Sequence, residues 1–240
     1  MYYGRTDIGK IRKENQDKFD CFEVGGAVCL VVCDGMGGAK GGKVASDICV
    51  KTVREVLTGS LTEDMNEQDV VRAVKTATET ANDAIVALSE NDESLSGMGT
   101  TLALVIIREN RFFYTHLGDS RIYAIDDTEA VRLTKDHSFV QEMVDLGKLT
   151  PEEAENHPQK NIITNAVGIH REVEQAVKAD FLDGRKLLLC SDGLSNMLTD
   201  LEIFDIIYRY KVTEQCVDAL VSNAINKGGT DNITAVIYGG

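Results

Sequence analysis

Proline is scarce in this sequence, at two residues in 240. No Pro/Ser-rich stretch, internal repeat or low-complexity tract divides the chain, which predicts one domain over residues 1–240. Long apolar runs are lacking too. The longest, Ala27–Cys33 and Leu102–Ile107, fall far short of the roughly 18 residues of a membrane span. The opening segment MYYGRTDIGK has no apolar stretch behind its basic residues, so no signal peptide is expected. Six cysteines occur but no Cys-x-x-Cys pair. Cys29, Cys33 and Cys190 lie inside apolar runs and read as buried reduced thiols, as in a cytoplasmic protein. Positive charge is in deficit: 25 Lys and Arg against 39 Asp and Glu leave a net −14. That balance argues against nucleic acid and against anionic membranes as partners. It leaves a phosphorylated substrate open, because bound metal ions reverse the local field. Lys40 breaks a G-x-G-x-x-G pattern begun by Gly35 and Gly37, and there is no Walker A signature, so these glycines do not mark a dinucleotide or P-loop fold. No two of the four histidines have the spacing of a zinc site.

What is present is enough apolar residue, 43%, for a core that removes about 70–75% of the unfolded surface from water. Short apolar and period-2 runs predict strands over 2–8, 17–24, 27–33, 101–108, 111–117, 121–125, 131–133, 173–181, 186–190 and 233–238. Gly25-Gly26 and Glu109-Asn110 read as hairpin turns. Helical spacing predicts helices over 42–57, 68–88, 200–210 and 213–226, with shorter ones at 138–146 and 151–156. Strands in runs and helices in runs favour an α+β layer fold over alternating βαβ units. His116 alternates within a strand and reads as a packed residue, as do Met98 and Met143.

A repeated arrangement stands out. AVCLVVC runs into Asp34-Gly35, FFYTHLG into Asp119, and KLLLCS into Asp192-Gly193, while Asp231-Asn232 precedes ITAVIY. Singly, each is ordinary turn chemistry. Four aspartates gathered at one sheet edge would repel and could not all stay ionised without counter-charge. One or two divalent cations supply it, and an all-oxygen ligand set points to Mg²⁺ or Mn²⁺ rather than zinc. Neighbouring glycines let a backbone carbonyl approach an ion closely. Near the N-terminus, Arg12 precedes Asn15-Gln16-Asp17. It reads either as a clamp for a phosphate or as a surface charge beside Lys10 and Lys13.

Together these segments resemble the metal-dependent type-2C Ser/Thr protein phosphatases, the PPM family, in its compact bacterial branch. The likeness is carried in order by Arg12-x-x-Asn15-Gln16-Asp17, Val32–Gly38, Gly99-Thr100-Thr101, Gly118–Arg121, Asp136-His137-Ser138, Leu189–Leu194 and Gly228–Thr234. It implies a four-layer αββα sandwich of two antiparallel sheets flanked by helix pairs. It implies two Mn²⁺ or Mg²⁺ ions at one edge, bridged by Asp34, with the Gly35 carbonyl on one and Asp192 and Asp231 on the other. Asp119 with Asp192 would hold a third, weaker ion. Arg12 would hold the substrate phosphate, and Asp17 would act through metal-bound water. A metal-activated water would then attack phosphorus in line with the Ser or Thr oxygen, with no phosphoenzyme. Residues 138–165 correspond to a flap beside the site, with His137 shaping its rim. Three positions depart from the family pattern. Met36 stands where many members carry a histidine proposed as general acid, which leaves that proton to a metal-bound water. Gln16 replaces a frequent glutamate, and Asn165 a frequent arginine. The implied partners are phosphoprotein substrates and a cognate Ser/Thr kinase, and the implied state is a cytoplasmic monomer.

Two other readings stay open. One is a pseudophosphatase serving as a phosphoprotein-binding regulatory module, against which Asp34, Asp119, Asp192 and Asp231 are all retained. The other is a different two-metal phosphoester hydrolase, of which the nuclease is disfavoured by the acidic composition. A haloacid-dehalogenase-type phosphatase needs a second aspartate where Met36 stands.

Overall fold

The runs Ala27–Cys33 and Leu102–Ile107 are apolar at every position rather than at alternate ones, the pattern of strands covered on both faces. The computed structural model, which describes residues 1–239, shows what covers them. β3 (Ala27–Met36) and β5 (Leu102–Arg108) are neighbours in a sheet ordered β2 (Asp17–Val24), β3, β5, β6 (Arg111–Leu117), β9 (Lys178–Phe181). The two-residue β4 (Gly99–Thr100) pairs with the end of β3. Cys29, Val31, Cys33, Leu104 and Ile106 pack with helices α1 (Gly38–Ser60) and α2 (Glu67–Asn91). Leu30, Val32, Ala103 and Val105, at the alternate positions, pack against the other sheet. That sheet runs β1 (Tyr2–Asp7), β11 (Ile233–Tyr238), β10 (Lys186–Cys190), β7 (Arg121–Ile125), β8 (Ala130–Arg132). Its outer face, with Leu188, Cys190 and Ala235, packs on α6 (Asp200–Arg209) and α7 (Thr213–Asn226). Every pairing is antiparallel. The result is the expected α+β architecture, a four-layer αββα sandwich with three interlayer cores. Each fully buried Leu or Ile in them contributes about 1.5–3 kcal/mol.

Local signals agree with this frame. Asn66 with Asp69 and Thr199 with Glu202 form reciprocal capping boxes at the starts of α2 and α6, satisfying backbone donors that a helix leaves unpaired. Gly25 and Gly26 both take positive φ (52° and 70°), as a type I′ hairpin requires.

Three elements differ most from the sequence pattern. β3 continues past Cys33 to Met36, and α1 begins at Gly38 rather than Gly42. The glycine-rich segment is therefore a strand end and a first helical turn. Glycine is a poor helix former, but here close approach decides. A Cβ on Gly35 would lie 2.0 Å from the Gly42 carbonyl oxygen, so β3 and α1 meet backbone to backbone. The strand expected over 173–181 covers only Lys178–Phe181. Its ladder with β6 stops at the Tyr114–Lys178 pair, and Val173 and Val177 pack instead against the core beneath α1 and α2. Between β8 and β9 lie α3 (Phe139–Asp145) and α4 (Pro151–Glu155), on an excursion closed by a bridge between Ser138 and Ile163.

Candidate active site

Strand geometry delivers five aspartates to one edge of the sandwich. Asp17 opens β2 directly opposite Asp34 in β3. Asp119 follows β6, Asp192 follows β10 and opens the short helix α5 (Asp192–Ser195), and Asp231 precedes β11. Asp34 feels the charges of Asp17, Asp192, Asp119 and Asp231 together, so the expected convergence is present.

Asp17 lies deepest, at 2% exposure. Its Oδ2 accepts hydrogen bonds from Ser191 Oγ (2.7 Å) and Thr234 Oγ1 (2.6 Å). The backbone of Asp34 is held by Thr101 and Thr100. The Asp34 N–H donates to Thr101 Oγ1 at 2.9 Å, and the Asp34 carbonyl accepts from the Thr101 N–H (2.8 Å) and the Thr100 hydroxyl (2.9 Å). Asp192 Oδ2 accepts from Asn196 Nδ2 at 3.0 Å. Among the described residues, Asp17 Oδ1, Asp119 Oδ1 and Asp192 Oδ1 are buried with no hydrogen-bond partner, a costly state for a carboxylate oxygen.

Burial, and then the neighbouring carboxylates, pushes Asp34 well above the ordinary carboxylate range. Burial followed by the charge of Asp231 raises Asp192. Burial, then Asp192 and Asp136, lifts Asp119 to about 7. Burial also takes Asp17 to about 7, outweighing the Thr234 and Ser191 hydrogen bonds. Carboxylates crowded in this way hold protons unless a cation replaces them. Among the described residues no three His, Cys, Asp or Glu side chains already surround one point as ligands. Asp231 Oδ2 is instead paired with the Arg12 guanidinium at 2.6 Å. The unpartnered, all-oxygen donor set fits a hard divalent cation. Asp34, Asp119, Asp192 and Asp231 could hold one, with Asp17 behind them. The Gly35 carbonyl could join them, because Gly42, whose Cβ would sit 2.5 Å from that oxygen, leaves it room.

Arg12 reaches the site from the 8–16 loop, and the structure shows what fixes that loop. Asn232 Nδ2 donates to the carbonyls of Ile8 and Glu14, both at 3.0 Å, and its Oδ1 accepts from the Gln16 N–H at 2.8 Å. The Lys10 N–H donates to the Gly229 carbonyl at 2.7 Å. Sequence reasoning assigned no role to Asn232, Ser191, Thr234 or Thr101. Each lies in a segment that carries the family likeness, and each is a small polar residue beside an aspartate or at the end of an otherwise apolar strand. A cavity of about 770 Å³ has Asp119 and Asp192 in its wall, Val140 and Pro151 from the 138–165 excursion, and Met197 and Leu201 from the α5–α6 region. Asn165 lies outside it, donating to the Glu174 carbonyl at 3.0 Å and lining a second cavity with His116 and His137. Met36 sits at the end of β3 opposite Gly99.

A layered sandwich with an acidic, oxygen-lined edge defines a class of protein, and comparison with known proteins agrees. Residues 10–224 match the family model described as Protein phosphatase 2C, and the chain belongs to that family. It is 40% identical over 234 residues to "Protein phosphatase PhpP" of Streptococcus pneumoniae, covering 97% of this chain and 94% of the relative. It is 36% identical over 236 residues to "Serine/threonine protein phosphatase PstP" of Mycobacterium tuberculosis, covering 98% of this chain but only 44% of that relative. The chain thus spans less than half the length of the mycobacterial protein. A solved structure of the PstP catalytic domain in complex with two manganese ions superposes with a TM-score of 0.86 at 34% identity, covering 99% of this chain and 96% of that one.

Proposed function

We propose that this protein hydrolyses phosphoserine and phosphothreonine in other proteins, using Mn²⁺ or Mg²⁺ and opposing a Ser/Thr kinase. The observation that carries the reading is the set of five aspartates meeting at one edge with three buried oxygens unpartnered. Relatives named as protein phosphatases, and one solved with two manganese ions, support it. In this reading Asp34, Asp192, Asp231 and the Gly35 carbonyl would hold two ions, and Asp119 with Asp192 would hold a third. When bound, such ions lower the pKa of water and offset charge on the phosphoryl oxygens.

The chain's own residues do the rest. Arg12, on a loop stapled by Asn232, exchanges Asp231 for the substrate phosphate, which its planar fork binds through two parallel hydrogen bonds. Asp17, oriented by Ser191 and Thr234, would supply negative charge behind the site once bound cations displace its proton. The cavity of about 770 Å³ accommodates polypeptide flanking the phosphoresidue, with residues 138–165 as the flap along one side. Residues 1–240 form one catalytic domain. Six unpaired cysteines, five of them buried, suit a reducing cytoplasm. Phosphate release from a phosphothreonine peptide tests the reading, measured with Mn²⁺, with excess EDTA, and in Asp192→Ala. Release that requires metal and falls more than about 100-fold in the variant is expected. A folded protein that releases none with any divalent metal is a phosphoprotein-binding module instead.

A further inference from the structure

His137 is the point where three parts of the molecule join. Its backbone N–H donates to the Gly118 carbonyl at 2.9 Å. In return the Gly118 N–H donates to His137 Nδ1 at 3.3 Å. The two residues are thus paired by reciprocal hydrogen bonds. An amide N–H can only donate, so Nδ1 is the acceptor and the proton of the neutral ring sits on Nε2. The ring stacks on His116, with centroids 4.4 Å apart and planes 20° from parallel. His116 is itself tied to the Lys135 carbonyl through Nε2 at 2.8 Å. The His137 carbonyl accepts from the Thr164 N–H at 2.9 Å, and the Phe139 N–H donates to the Ile162 carbonyl at 2.9 Å. These bonds, with the bridge between Ser138 and Ile163, close the two ends of the flap.

The turn that His137 grips has little freedom elsewhere. Gly118 sits at φ 94°, and a Cβ there would fall 2.6 Å from Thr101 Cγ2. Thr101 Oγ1 lies 2.6 Å from Ser120 Oγ and also accepts the Asp34 N–H. Thr101 therefore holds the turn on one side and ties it to Asp34. His137 holds it on the other and ties it to the flap.

We propose that His137 is a positioning residue. Its Nδ1 sets the Gly118–Asp119 backbone, and so the aim of the Asp119 carboxylate, and it transmits the state of the flap base to that carboxylate. The inference rests on the functional reading above, in which Asp119 serves the weakest cation. The chemistry required of residue 137 is an acceptor at the reach of Nδ1. Asparagine places Oδ1 there, whereas glutamine reaches further, toward Nε2.

The full chain is compared as wild type, His137→Asn and His137→Gln. Amide hydrogen exchange of Gly118, Mn²⁺ binding by calorimetry, and kcat and KM on a phosphothreonine peptide are measured. In His137→Gln, Gly118 exchange is expected to quicken about tenfold, the equivalent of one hydrogen bond. The weakest Mn²⁺ affinity is expected to fall about 10–100-fold, with kcat falling more than KM changes. His137→Asn restores all three toward wild type. Unchanged Gly118 exchange in His137→Gln, or an asparagine no better than glutamine, overturns the proposal. Nitrogen chemical shifts of the His137 ring in the unmodified protein give a check that needs no variant: a proton on Nδ1 also overturns it. If wild type neither binds Mn²⁺ nor releases phosphate, the functional reading fails, while the exchange and ring data still decide what His137 does.

Discussion

Asp17 shows how the environment rather than the residue type sets the chemistry of this site. The same side chain on a surface would be an ordinary anion. Here it is buried opposite Asp34, gripped by two hydroxyls, and pushed up to about 7. Asp17→Asn keeps an oxygen for the Ser191 and Thr234 hydroxyls and removes the charge. In EDTA it is expected to raise Tm, on the scale of about 2–4 °C per kcal/mol for a chain of this size. In Mn²⁺ it is expected to lower turnover about 10–100-fold, as losses behind a metal site do. Calorimetric melting and peptide dephosphorylation check the two halves, and a variant less stable than wild type in EDTA would count against the repulsion. At this scale Asp34, Asp119, Asp192 and Asp231 were legible from sequence, because each stands at the edge of an apolar strand, whereas Asp17, in a polar stretch, entered only through the family resemblance. Its hydroxyl partners were not legible. Ser191 and Thr234 are 43 residues apart; the pairing of β10 with β11 brings them together, and the packing of the two sheets sets them against Asp17 at the start of β2.

The elements matter through what they hold together. Asn232 binds the two ends of the 8–16 loop and so presents Arg12. Asn232→Ala would remove the hydrogen bonds that Asn232 makes with the carbonyls of Ile8 and Glu14 and with the Gln16 N–H, each such loss costing about 1–3 kcal/mol where the group is buried. The expected kinetic signature is a KM for phosphopeptide raised about tenfold with kcat changed less, because binding by Arg12 is what loosens. Initial-rate kinetics separate this from a general loss of fold, which would reduce kcat alone through the active fraction. Most elements could be read from periodicity, since both long helices and nine of the ten expected strands carry a clear pattern. The glycine-rich segment could not. The sequence pattern leaves 34–41 as a turn between strand and helix, but the near-contact of Gly35 with the Gly42 backbone makes it a strand end and a helix start. The shortened β9 was hidden for the opposite reason. Val173 and Val177 look like strand residues because they are β-branched and stand among polar neighbours, yet they are half-buried against the helix-facing core rather than paired in the sheet.

Across the whole molecule, the crowded carboxylates link stability to protons and to metal. Asp17 and Asp119 are lifted to about 7 in the folded state, against about 3.9 when unfolded. The folded protein therefore binds more protons between those values. The contribution of these groups is full below about pH 4 and is lost as pH rises through about 7. In EDTA, Tm should fall from pH 5 to pH 8. With Mn²⁺ the trend should flatten or reverse, since the cation holds the carboxylates ionised. Mn²⁺ at 100 times its Kd adds about 2.7 kcal/mol, or about 5–10 °C in a chain of this size. Melting curves over pH in EDTA and Mn²⁺ test both statements, and a Tm that climbs with pH in EDTA contradicts them. The same crowding gives mutation a direction. Neutralising an aspartate at this edge relieves the metal-free fold while removing what the site needs to work. A library of variants ranked by solubility or heat tolerance would therefore be enriched in inactive members. A lineage released from the demand for turnover would lose these carboxylates first and keep its fold intact.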